Sequence, residues 1–228
     1  MPLLRDWTLT LTPEQVLLAQ GLDPQAASPR TGRMLAIAAQ ALQVGLPLLD
    51  PLVTYQEERV KSLVHERLQL SGGGVITGKS AVQRLASARK VVAALCTIGP
   101  AIEKRASSLM DDDLLLALAL DGVGTAAAES LGIAACRLLG EMAASSGLEA
   151  SLPLSPGIDG WPVEHGHPLI FSLVDAPQAG IRLTPDNMML PRKTVSLLIG
   201  LAPEIDEGGR ICDFCSQRST CRRQDTYA

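Results

Sequence analysis

Apolar residues recur at helical spacing over the first forty-odd positions and then alternate or run together, so the chain reads as a mixture of helices and strands. Thr12-Pro13-Glu14-Gln15 opens a short helix: Thr12 caps, Pro13 suits the first helical position, Gln15 completes a capping box and Gly21 stops it. A second helix fits residues 32–44, with Gly45 after it, and Pro47 and Pro51 break the chain before an extended stretch. Leu68 and Leu70 alternate with polar neighbours and lead through Ser71-Gly72-Gly73-Gly74 into the β-branched Val75-Ile76-Thr77, the pattern of a hairpin. A short helix over 79–89 precedes a buried strand over 91–97. Gly99-Pro100 ends that strand and starts a helix over 101–110. The longest helical run covers 112–145, with a bend expected near Gly122 and Gly124.

After Gly147 the pattern turns irregular: Pro153, Pro156, Gly157, Gly160, Pro162 and Pro168 interrupt it, yet apolar residues are threaded between them. A helix over 169–175 and strands over 181–184 and 193–201 follow, then a polar tail. Hairpins and long helices alternate without regular βαβ units, which predicts an α+β fold with an antiparallel sheet. The expected division is a domain over 1–205 and a tail over 206–228.

Composition sharpens this picture in two ways. Hydrophobic residues make up 46% of the chain but aromatics only 3%, so the core must be built from Leu, Ala, Val and Ile. The net charge is −4 with no long basic run, and so few aromatics offer little for base stacking; both argue against a nucleic-acid partner. The first residues lack a signal peptide's charged start and apolar run. The apolar stretch over 114–128 falls short of the roughly 20 residues that span a bilayer, so no membrane is expected. Five cysteines, three of them between positions 212 and 221, do not resemble a secreted disulfide framework. A cytoplasmic location is the expectation.

Four features carry candidate chemistry. Gly73-Gly74-Val75-Ile76-Thr77-Gly78-Lys79-Ser80 matches the phosphate-binding pattern G-x-x-x-x-G-K-S, but its β-branched interior favours extended backbone over a compact anion nest, and a hairpin followed by a helix explains the same letters. Cys212-x2-Cys215-x5-Cys221 is the stronger signal. Two cysteines separated by two residues turn their sulfurs toward one ion, a third approaches from the following turn, and Arg210, Arg218, Arg222 and Arg223 favour thiolates. Free thiols on a frayed tail, or a reversible disulfide, are the plain alternatives. A fourth ligand is missing; Cys96 and Cys136 read as packing residues that the fold would have to bring close. His165 and His167 would point to one side of an extended chain and supply metal ligands, against the commoner reading of loop histidines in polar surroundings. Glu129, after three alanines in an apolar helix, is either a buried carboxylate or a charge at the helix's solvent edge.

Leu183-Thr184-Pro185-Asp186-Asn187-Met188-Met189-Leu190-Pro191-Arg192-Lys193-Thr194-Val195-Ser196 resembles the L-T-x-x-x-M-x-P-x-x-S-V-S signature of the activation domain of cobalamin-dependent methionine synthase. Ser155-Pro156-Gly157 with the residues up to Pro162 is similar to that domain's S-P-G-Y segment. Cys96-Thr97-Ile98-Gly99-Pro100 and residues 120–129 resemble short stand-alone relatives of anaerobic bacteria that end in a cysteine cluster. The resemblance implies a twisted antiparallel sheet flanked by helices that binds S-adenosylmethionine and presents its methyl group to cob(II)alamin on a partner domain. It implies that Ser155, Pro156 and Gly157 line the ligand groove through their backbone and that Glu129 is the ligand-contacting acid. It also implies a corrinoid protein or methionine synthase core as partner. The family's R-x-x-x-G-Y is broken here, by Pro153 at the arginine and Ile158 at the tyrosine; proline offers neither charge nor a planar donor fork. On this basis Cys212, Cys215 and Cys221 are expected to hold an iron–sulfur cluster that relays an electron. The alternative is a non-enzymatic corrinoid-protein binding module with zinc in the tail.

Overall fold

The computed structural model describes residues 1–158, 160–205, 211–214 and 219. The first helix, α1 (Pro13–Ala19), forms with the expected capping box: the Gln15 amide donates to Thr12 Oγ1 at 3.3 Å and the Thr12 amide to Gln15 Oε1 at 2.8 Å. The second, α2 (Pro29–Gly45), starts three residues earlier than its apolar spacing suggests, because Ser28 Oγ accepts from the Thr31 amide and Pro29 fills the first helical position. Helix α3 (Lys79–Arg84) is shorter than expected. Helices α4 (Ala101–Ser108) and α5 (Leu114–Ser145) follow, with Asp113 capping α5.

Helix α5 runs unbroken through Gly122 and Gly124, and close packing accounts for both glycines. A methyl at Gly122 would lie 2.8 Å from Gln20 Cγ, and one at Gly124 would lie 3.2 Å from Lys193 Cγ. By length and composition α5 is apolar enough to cross a membrane, but 61% of its most apolar window is buried against the rest of the protein. It is the core helix of one layer.

All strand pairings are antiparallel among the described residues. Strands β1 (Leu3–Leu4), β2 (Leu52–Val64), β3 (Arg67–Leu70), β4 (Val75–Ile76), β5 (Lys90–Thr97) and β6 (Glu149–Ala150) join β9 (Thr194–Ala202) in the order β4-β3-β2-β5-β9-β6, with β1 beside β2. A separate two-stranded ribbon pairs β7 (Arg182–Leu183) with β8 (Met189–Leu190). The unbroken apolar run of β5 is explained by its central place. Val92, Ala94 and Cys96 face a layer made by α1, α2, α4 and α5. Val91, Ala93 and Leu95 face a second layer made by α3, α6 (Val163–Leu173) and the chain around Leu154 and Trp161. Each fully buried Leu or Val contributes about 1.5–3 kcal/mol. The architecture is therefore the expected α+β fold, a curled antiparallel sheet between two helical layers. Helix α7 (Ile211–Phe214) lies in the tail.

Candidate ligand groove

The irregular segment after α5 is organised by β9. Ala150 pairs with Leu201 and Leu154 with Leu198, so four steps on one strand oppose three on the other: a bulge. Within it Ser151 substitutes for a regular ladder partner. Its amide donates to Gly200 O at 2.8 Å, while its Oγ accepts the buried Gly200 N–H at 2.9 Å. Pro153 occupies the bulge, where its missing N–H costs no ladder bond. Leu154 exchanges two backbone bonds of 2.8 Å with Leu198, and Ser155, Pro156 and Gly157 follow it.

The loop closes on itself. Gly157, at φ +89°, donates its N–H to Trp161 O at 2.8 Å, Ile158 donates to Ser155 O at 3.1 Å, and Trp161 donates to Ile158 O at 3.1 Å. Gly157 and Ile158 are exposed, Ser155 and Pro156 half-buried, and Trp161 is buried. The φ at Gly157 is one that L side chains rarely adopt, which explains the glycine.

Glu129 lies on α5. Thr125, Glu129 and Gly132 follow each other at i, i+4 and i+7, one face of α5. At one end of this face Lys193 lies across Gly124 and donates to Thr125 Oγ1 at 2.8 Å. At the other end a methyl built on Gly132 would sit 3.5 Å from Val195 Cγ1, an ordinary contact. Glu129, half-buried and engaged in an interaction of its own, sits between them. Glu129 thus lies on a face of α5 whose ends meet Lys193 and Val195, and Ser155–Pro156–Gly157 follows the Leu154–Leu198 bridge.

Lys193 is a functional candidate that the sequence did not single out. Its Nζ lies 2.8 Å from Asp121 Oδ1, its amide donates to Glu103 Oε1 at 2.6 Å, and Arg192 Nε lies 3.9 Å from Glu103 Oε2. The signal was present as Asp121 and Thr125 at i, i+4 with Gly124 between them.

The histidine expectation is overturned. His165 and His167 lie on α6, where two residues turn the helix by about 200°, so they diverge. His165 is exposed; His167 is buried, with Nδ1 2.8 Å from Asn187 O, tying α6 to the β7–β8 turn. Pro168 hid this helix by suggesting a break, although a single proline removes only the bond to the Glu164 carbonyl. The phosphate-loop pattern also dissolves: Val75–Ile76 is strand β4 paired with β3, and the Gly73 N–H is already taken by Leu70 O at 3.1 Å.

Among the described residues no three His, Cys, Asp or Glu side chains are placed to share a metal ion. Cys212 is half-buried in α7; Cys215 and Cys221, with the arginines near them, lie outside the described residues. Cys96 is fully buried on the helical side of β5, where burial and then the neighbouring Cys136 push its thiol above the ordinary range. Burial raises Cys136 to about 11. Burial thus disfavours the thiolate at both positions.

No family model matches the chain, and no curated protein matches it. Among solved structures the chain is similar to a crystal structure of the MetH reactivation domain bound to AdoHcy. The TM-score is 0.64 at 11% identity, over 98% of this chain and 86% of that one. At that identity the likeness is one of fold: this chain is built as that reactivation domain is built.

Proposed function

We propose that this protein is a counterpart of the methionine synthase reactivation domain, which binds an adenosyl ligand of the S-adenosylmethionine class and acts on a corrinoid-carrying protein. The observation that carries the reading is the fold, which matches 98% of this chain to a neighbour solved with AdoHcy; in this reading Glu129 and the Ser155–Gly157 loop border the ligand. The residues present suit such a ligand in part. An exposed glycine turn lets a ligand approach the backbone closely, Gly132 keeps the facing helix low, and Glu129 offers an acceptor for hydroxyl or amino groups. No guanidinium stands at Pro153, so a ligand carboxylate must be held by other groups or by water. S-Adenosylmethionine is the methyl donor in this reading, and cobalamin is carried by the partner.

Cys212, Cys215 and Cys221 would hold an iron–sulfur cluster, whose chemistry when bound is one-electron transfer; this rests on their spacing alone. Reactivating Co(II) requires an electron together with a methyl group, which gives a cluster on the same chain a purpose. We place the folded domain at 1–205, the tail at 206–228 and the protein in the cytoplasm. The second reading, a corrinoid-protein binding module with zinc in the tail, is favoured by Pro153 and Ile158 in the loop.

Titration calorimetry with S-adenosylmethionine separates the two. Saturable binding that Glu129→Gln weakens at least tenfold, with an unchanged melting temperature, supports the first reading. Absence of binding heat sinks it. Anaerobic purification decides the tail: a brown protein containing iron and sulfide supports the relay, whereas colourless protein with stoichiometric zinc removes it.

A further inference from the structure

The groove loop hangs on one side chain. Gly157, Ile158 and Gly160 lie on the surface, yet Trp161, four residues after Gly157, is 1% exposed and ranks among the largest fully buried side chains. Its main chain closes the loop at both ends, by accepting from Gly157 N–H and donating to Ile158 O. Its ring is wedged between two glycines. A methyl on Gly78 would lie 3.4 Å from Trp161 Cδ1, and one on Gly166 would lie 3.1 Å from Cε2 and would overlap the Pro156 ring. Nε1 is bonded to both of those ring carbons, so the N–H edge faces the gap that the two missing side chains leave. Trp161 Nε1 has no hydrogen-bond partner among the described residues.

We infer that Trp161 is the positioning residue of the groove loop, and that Gly166 is a glycine because it admits the Trp161 and Pro156 rings. The inference rests on the reading of this groove as an adenosyl-ligand site and adds the residue that sets the shape of its loop. It also absorbs two motifs that pointed elsewhere. The glycine of Gly78-Lys79-Ser80 and the glycine of His165-Gly166-His167 meet at one indole, with Pro156 of the loop stacked behind Gly166. In an isolated helix alanine outperforms glycine. At Gly166 it would instead drive Pro156 and Trp161 apart and shift the peptide groups of Ser155–Gly157. Displacements of this kind cost roughly tenfold to a hundredfold where a ligand is held by geometry.

The chain has two tryptophans, which gives a direct test. The Trp7 indole N–H donates to Leu4 O at 2.9 Å, far from the loop in sequence, and serves as the internal control. Wild-type protein labelled with ¹⁵N at tryptophan shows two indole resonances, assigned with Trp7→Phe. S-Adenosylmethionine is expected to shift the Trp161 resonance with the dissociation constant found by calorimetry and to leave Trp7 in place. Trp161→Ala and Gly166→Ala are expected to weaken binding at least tenfold, and Trp161→Phe, which keeps the wedge, by less. If the ligand binds while the Trp161 resonance stays still and Gly166→Ala binds as wild type, the positioning role is refuted and the groove reading stands. If no ligand binds to wild type, the groove reading falls and takes this inference with it.

Discussion

Replacing Ser151 by alanine removes one oxygen and leaves a buried backbone N–H without its acceptor. Ser151 Oγ accepts from Gly200 N–H at 2.9 Å and lies 3.0 Å from Leu152 O, and Ser151 itself is 7% exposed. Leu152 O keeps the Arg84 guanidinium at 3.2 Å, so its loss is minor. Gly200 N–H has no such reserve, because on that side of β9 the bulge offers no backbone carbonyl in register. An unpaired buried donor costs about 1–3 kcal/mol, so about 2 kcal/mol is expected. For a chain of this size that lowers the melting temperature by roughly 4–8 °C. In urea the midpoint should fall by about 1 M with an unchanged slope. Ser87→Ala, at an exposed position, is the control and should stay within about 0.5 kcal/mol. A midpoint shift for Ser151→Ala no larger than the control's would refute the claim that the hydroxyl substitutes for a ladder carbonyl.

Three further outcomes follow from the packing. Gly122→Val forces a branched side chain against Gln20 Cγ and Val16 and should destabilise by about 1–3 kcal/mol in chemical denaturation. Cys96 should resist a thiol reagent at pH 8 in the native protein and react once it is unfolded. Because burial raises the Cys136 thiol from 9.0 to about 11, the unfolded chain loses that proton first. This contribution to stability is therefore complete below pH 9 and is lost between pH 9 and 11, measurable as a falling urea midpoint. A chain ending at residue 205 should keep a cooperative melt, since Ile205 N–H still reaches Glu149 Oε2 at 2.8 Å, while losing any bound metal. Loss of cooperative unfolding would refute the division at 205.

The framework was legible where a single local signal decided the outcome. Thr12-Pro13-Glu14-Gln15 set a helix start through hydrogen bonds among four adjacent residues. The run 91–97 marked a strand buried on both faces, and three glycines between Leu70 and Val75 marked a hairpin. Boundaries failed where a second signal competed. Pro168 masked the first turns of α6, Ser28-Pro29 extended α2 upstream, and the two-residue strand β8 is too short to leave a pattern.

The candidate groove was legible as letters but not as a place. Glu129 and Gly157 are 28 positions apart, one on α5 and the other on the loop after the Leu154–Leu198 bridge. The glycines misled for a related reason. Gly78 resembled part of a phosphate loop and Gly166 the spacer of a histidine pair, because a glycine's neighbours in sequence suggest local chemistry. Gly78 caps α3 at φ +103°, a backbone that favours glycine, and Gly166 faces the rings of Pro156 and Trp161. Gly122 and Gly124 repeat the lesson on α5, where an expected bend proved to be the close approach of Gln20 and Lys193. Gly122, Gly124 and Gly166 are best read as the imprints of side chains packed against them. Those imprints mark Trp161 under the loop and Lys193 across Gly124 and Thr125, two side chains whose packing no local sequence pattern announced.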